Sequence, residues 1–216
     1  MKIYTIEDLK NFERDKNGRL ICPSGDYSLI KEFSERCSFG EKCSFGKRCS
    51  FGEGCSFGEW CSFGEWCSFG EWCSFGERCS FGEECSFGEG CSFGERCSFG
   101  ERCSFGEWCS FGERCSFGEG CSFGEWCSFG ERCSFGEGIK YEGMSETTLR
   151  FLKIDRIGSR LGCTYFFKTA TDIYVRCGCF FGTIADFEKK VNETHARNKK
   201  YRKEYIEAIK YVKAVM

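Results

Sequence analysis

The sequence predicts a mainly β chain. It reads as a parallel β-helix of triangular coils of about 18 residues, with an N-terminal cap over residues 1–36 and a small α+β module over 139–216. Three observations carry this expectation. Residues 37–138 are seventeen consecutive copies of one six-residue unit, Cys-Ser-Phe-Gly-Glu-x, with Lys47 in place of Glu once and without insertion or deletion, and a fixed period of this kind marks a solenoid. Cys and Phe lie two residues apart, so an extended segment directs both to one face and the intervening Ser to the other. After Gly138 the period stops and ordinary mixed sequence follows.

Each copy supplies one short strand and one bend. The Gly after each Phe is expected to turn the corner through its unrestricted φ, with Glu and the variable sixth residue completing a polar corner. At a strand spacing of ~4.8 Å the column is roughly 27 Å tall. Phe burial alone does not offset the entropy of ordering the backbone, so neighbouring coils must cooperate and both ends need covering.

The order of a small residue, a spacer, a large apolar residue and a glycine resembles the hexapeptide-repeat proteins that form left-handed parallel β-helices. The resemblance implies left-handed crossovers, against the usual right-handed rule. That family places Leu, Ile or Val where this chain has Phe39, Phe45, Phe51 and their successors, which implies a wider prism. Many of its members are acyltransferases that use a His at a subunit cleft and a loop projecting from a coil; this array has neither His nor projecting loop.

The net charge of −2 hides an asymmetry. Residues 1–36 carry seven basic and seven acidic residues, the array eight and seventeen, and residues 139–216 sixteen and nine. The array is acidic and the C-terminal region basic, the latter read as a solvated helix face, so nucleic acid is not the expected partner. Twenty-one cysteines combine with no signal peptide and no apolar run long enough to span a membrane. A reducing cytoplasm is the expected setting, with Cys acting as a small buried hydrophobe. Disulfides along a column are disfavoured because the Cβ vectors of stacked residues run parallel.

In chain order, residues 2–6 read as a strand running into a short helix with Thr5 and Asp8 at capping-box spacing. Asn17-Gly18 is a turn, Leu20-Ile21-Cys22 a strand, and Phe33 stands one repeat before Phe39, so the array begins in phase. Beyond it, 149–154, 163–168 and 172–181 read as three strands. Thr183 starts a helix to about Thr194, and a basic amphipathic helix fills 199–215. Its stripe of Tyr201, Tyr205, Ala208 and Val212 is expected to pack on the sheet, with pairing to a second copy as the competing idea. Residues 162–167 and 176–183 resemble a module of uncharacterised proteins of gut bacteria and their phages, a resemblance that implies no activity.

The expected function is a non-enzymatic scaffold with a protein partner, since no catalytic motif stands out. Information can be written only at the sixth position. Residues 18 apart share an edge there, and Trp60, Trp66, Trp72, Trp108 and Trp126 are the candidate contacts because Trp is enriched at interfaces. The alternative is that Trp and Arg only cover corners and stack on one another. Cys163, Cys177, Cys179 and His195 are the candidate zinc ligands, although Cys-x-Cys is a poor chelate. The inward Cys columns also invite an iron–sulfur or other metal-thiolate reading, but uniform Cys-x₅-Cys is not a cluster-binding run. No resident cofactor is therefore expected.

Overall fold

The computed structural model describes residues 1–130, 132–141, 144, 148, 150–158, 162–178 and 180–216. The side chains at 155, 162 and 163 lie outside that description, as does the whole of residue 179. The chain forms two compact units, Met1–Gly136 and Glu137–Met216.

The first unit is a parallel β-solenoid. Its strands are β1 (Leu20–Cys22), β2 (Glu32–Phe33), β3 (Cys37–Phe39) and β4 (Ser44–Phe45), then one Ser–Phe strand every six residues to β19 (Ser134–Phe135). Each pairs in parallel with the strand 18 residues away, as in Ser62↔Ser80↔Ser98. Three sheets result: β1-β3-β6-β9-β12-β15-β18, β4-β7-β10-β13-β16-β19, and a third that runs β2-β5-β8-β11-β14-β17. A coil contributes one strand to each.

Cys and Phe point inward as the alternation requires, nearly all of them buried, while the Ser residues between them are half-buried or exposed. Rings one coil apart stack, with Phe63 4.8 Å and Phe99 4.9 Å from Phe81 and interplanar angles of 2° and 3°. Rings within a coil meet edge to face, Phe75–Phe81 at 5.0 Å and 87°. Both arrangements suit the aromatic quadrupole. The N-terminal segment extends one of these stacks. Tyr4 lies on Tyr27 and Tyr27 on Phe45, at 4.9 and 5.5 Å, and Phe12 closes the top edge-on to Tyr4. The short helix α1 (Ile6–Lys10) carries the expected Thr5/Asp8 capping box. The strand expected over 2–6 reduces to a single bridge, Ile3↔Asp26.

The corner differs from the sequence expectation. The Gly after Phe is not where the backbone turns left-handed; the sixth residue is, with φ between 55° and 61° at its non-glycine positions within the array. The fourth-position glycine answers a different constraint. A Cβ at Gly76 would stand 2.7 Å from Glu59 N and 2.8 Å from Gly58 C of the preceding coil. The coils approach closely there because three backbone bonds per repeat draw them together: Ser74 N–H to Cys55 O, Gly76 N–H to Phe57 O and Arg78 N–H to Glu95 O, at 2.8–2.9 Å.

In the second unit β20 (Lys140–Tyr141) precedes β21 (Arg150–Ile157), β22 (Gly162–Lys168), β23 (Ile173–Cys177), β24 (Phe180–Thr183), α2 (Ile184–Thr194) and α3 (Lys199–Val215). Strands β21 to β24 form an antiparallel sheet in chain order. The single strand expected over 172–181 is a hairpin, because Gly178 at φ +60° breaks it. Thr183 caps α2 by accepting from the Asp186 N–H. Tyr205, Ile209 and Val212 of α3 join Phe166, Val175, Ile184, Phe187 and Val191 in one core. Most of the expected apolar stripe is therefore covered within its own unit, and Tyr211 and Val215 stay exposed.

Two pairs of substitutions test this geometry. Phe87→Ala should destabilise by about 3–5 kcal/mol through the cavity it opens, whereas Ser86→Ala should be nearly neutral; denaturant unfolding distinguishes them. Gly94→Ala should destabilise by about 1–3 kcal/mol, since its Cβ would meet backbone. Arg96→Gly, two residues on, should stabilise by about 1 kcal/mol by relieving the left-handed conformation. The reverse order would mean that the corner turns at the fourth position after all.

Candidate functional site

The corner edges are where the fold leaves chemistry on the surface. Every sixth-position side chain extends from a backbone conformation that disfavours it by about 1–2 kcal/mol relative to glycine. Each edge is a ladder with one rung per coil, so neighbours along it are the residues 18 apart. All five Trp are exposed, from 37% at Trp126 to 60% at Trp72.

The three edges differ. The first runs Lys42, Trp60, Arg78, Arg96, Arg114, Arg132, and Arg78 lies over the Trp60 ring at 4.5 Å. The second runs Arg48, Trp66, Glu84, Arg102, Gly120, and its first four members close on one another. Arg48 covers Trp66 at 4.9 Å, the Trp66 indole N–H donates to Glu84 at 2.9 Å, and Arg102 donates to the same carboxylate at 2.8 and 3.1 Å. The Trp66 N–H, then Arg102, hold the Glu84 carboxyl below the usual glutamate range. The one fifth-position residue that is not Glu, Lys47, pairs with Glu65 of the next coil at 2.8 Å.

The third edge runs Arg36, Gly54, Trp72, Gly90, Trp108, Trp126. Trp108 and Trp126 stack at 5.3 Å and 10°. Trp72 leans over Gly90, where an added Cβ would meet its ring at 2.4 Å. On the other side a Cβ at Gly54 would meet only the Arg36 stem, at 3.8 Å. An open cleft of about 430 Å³ lies there, lined by Asn17, Arg19, Arg36, Glu53, Gly54 and Trp72. The sequence named Trp72 as a contact but gave Gly54, Arg36 and Arg19 no role. Aligning sixth positions at period 18 finds the first two; Arg19 comes from outside the repeat.

The array thiols face inward and are each used. Cys97 Sγ–H donates to the Gly76 carbonyl and Cys103 to that of Gly82, both at 3.4 Å, and the same bond to the Gly 21 residues earlier recurs along the column. The neighbouring thiols of Cys109 and Cys73, and then burial, push the Cys91 thiol well above the usual cysteine range. All cysteines of the array are free thiols. In the second unit Cys177 Sγ accepts from Thr164 Oγ1 at 3.3 Å and lies 3.7 Å from the Tyr205 hydroxyl. His195, at the C-terminus of α2, stacks on the Tyr205 ring at 5.5 Å. Cys179 and the Cys163 side chain lie outside the described residues.

The profile of a family described as RNA-binding, Nab2-type zinc finger matches residues 31–46, 42–58, 72–94, 84–106, 108–124 and 115–136. No curated protein and no solved structure matches the chain. The matched segments lie in or beside the repeat, where Cys returns every six residues. A zinc finger of the CCCH kind needs three thiolates and an imidazole converging on one point. The array contains no histidine, and its thiols stand one to a side and bond to glycine carbonyls. Among the described residues no three His, Cys, Asp or Glu side chains form a metal-holding group. The array therefore does not fit the zinc that this similarity implies.

Thiol labelling checks the placement. Alkylation of the native protein followed by peptide mass mapping should leave Cys55 to Cys121 unmodified until denaturant is added, with the half-buried Cys133 and Cys177 labelled before them, because reagent must reach a thiol to modify it. Rapid native labelling at Cys91 would contradict the inward orientation.

Proposed function

We propose that the protein is a non-enzymatic scaffold, a rigid left-handed solenoid that presents Trp, Arg and Glu at its corners to a protein partner in a reducing cytoplasm and without a resident cofactor. The observation that carries this reading is the strained corner. Glycine is the residue the corner conformation favours, yet thirteen of the seventeen sixth positions hold Lys, Arg, Trp or Glu at positive φ. Backbone strain kept in this way points to a role for the side chains that impose it. The resemblance to hexapeptide-repeat proteins supports the left hand of the coil. Trp108 and Trp126 are the strongest contact candidates, since they stack on each other to form one aromatic surface that is 55% and 37% exposed.

The similarity to RNA-binding zinc fingers favours a second reading, in which the partner is single-stranded nucleic acid with bases stacked on the Trp rings. The array's excess of seventeen acidic over eight basic residues opposes it.

The Trp108→Gly/Trp126→Gly double variant separates contact from structure. It should match or exceed the parent in stability, by about 1–2 kcal/mol at most, and lose the protein cross-linked to the parent in extracts of its own cells. A parent chain that acquires no specific cross-link, or a variant that keeps it, sinks the scaffold reading. Nuclease-sensitive capture supports the nucleic-acid reading instead.

A further inference from the structure

The geometry points to a nucleotide-binding slot on the third edge, between Arg36 and Trp72, taking a guanine base between the guanidinium and the indole and its phosphate at Arg19. Where Arg and Trp stand one coil apart they close on each other, as Arg78 does on Trp60 at 4.5 Å and Arg48 on Trp66 at 4.9 Å. Gly54 separates Arg36 from Trp72 by two coils, and no cation–π contact joins them. Two strand spacings are ~9.6 Å, and one planar group between two others needs roughly 7 Å at van der Waals contact. The missing rung is the size of one ring system.

The Gly90 backbone holds one wall in place. Its missing Cβ lets the Trp72 ring fold away from Gly54, which keeps the cleft of about 430 Å³ open. The second guanidinium is delivered from outside the repeat. The Asp15 carboxylate accepts from the Asn17 and Arg19 N–H groups, and Gly18 at φ +78° turns the chain so that Asn17 and Arg19 line the cleft. Among the described residues neither Arg19 nor Arg36 forms an ion pair. Two unpaired guanidinium groups on one cleft call for an anion, and Arg suits phosphate by its fork of donors.

Glu53 selects among bases. Its carboxylate can only accept, and a guanine edge offers adjacent N–H donors that match two carboxylate oxygens. The Asn17 amide, donor and acceptor, completes a set that reads a base rather than a simple aromatic acid. The acidity of the array does not reach this end in full, because residues 1–36 carry equal numbers of acidic and basic groups. The slot goes beyond the scaffold reading, uses neither Trp108 nor Trp126, and stands or fails without it.

The test follows the Trp72 indole N–H by NMR, assigned with Trp72→Phe, during titration with guanosine 5′-monophosphate, guanosine or inorganic phosphate. The monophosphate should saturate the shift below about 1 mM, with guanosine and phosphate each at least about tenfold weaker. Gly54→Arg fills the slot with a residue that the repeat carries elsewhere at the same position, and should abolish the shift. Gly120→Arg, the same change on another edge, should leave it unaltered. Phosphate as strong as the nucleotide, binding that survives Gly54→Arg, or no saturation by about 10 mM overturns the proposal. The single-stranded pentanucleotide UUGUU distinguishes sources. Binding more than about tenfold tighter than the monophosphate, and falling steeply with salt, assigns the slot to a strand; equal binding assigns it to a free nucleotide.

Discussion

The spacing of hydrogen-bonded strands, about 4.8 Å, is the constraint from which this solenoid follows. Six-residue units paired at a register of 18 must repeat every side-chain contact at that interval. A flat ring is a group whose thickness suits the interval, and the Phe stacks run at 4.8–4.9 Å with near-parallel planes in the middle of the column. An aliphatic side chain would fill the same volume without the edge-to-face contacts that Phe75 and Phe81 make within a coil. The same interval also sets what the corner tolerates. Gly76 is glycine because the preceding coil's backbone occupies the place of its Cβ.

Cysteine has a reason in this frame beyond its size. The backbone ladder uses the carbonyls of Cys, Phe and Glu, and that of the fourth-position Gly is left to the Sγ–H of the Cys 21 residues later. A thiol is a weak donor, but an unsatisfied buried carbonyl is costly. Alanine would fit the space and forgo that bond. The repeated thiols are therefore a structural device, which is also why their spacing resembles a zinc-finger pattern without placing the ligands of one together.

Much of the first unit was legible because its signal is periodic. The two-residue separation of Cys and Phe fixed what is inside, and 102 residues without an indel fixed the register. The capping residues Thr5 and Thr183 located two helix starts because a cap is a local interaction. The misassigned features are those in which sequence chemistry has two readings. Glycine serves either a left-handed φ or a close approach, and the repeat contains both kinds: Gly76 answers the approach and Gly54 has the φ, at +65°. The strand over 172–181 looked continuous because Tyr174, Val175, Phe180 and Phe181 all favour strands, and only Gly178 marks its turn. The cleft at Gly54 could not be read locally, since it joins residues 17, 19, 36 and 72.

A column with so uniform an interior has few ways to become specific. Every coil offers the same Ser, and the fifth-position Glu gives way only at Lys47, so nearly every difference between edges is a difference in the order of Lys, Arg, Trp, Glu and Gly at the sixth position along them. The second edge shows how such an order is spent on self-contact: Arg48, Trp66, Glu84 and Arg102 satisfy one another over successive coils. On the third edge glycine interrupts that closure twice, at 54 and 90, and Trp72 between them is the most exposed of the five indoles. Glycine thus acts at the corners as a missing rung as well as a relaxed one. The stability it adds by relieving φ and the surface it opens by lacking a side chain arise from the same substitution, so recognition sites on this scaffold are expected where the backbone is least strained.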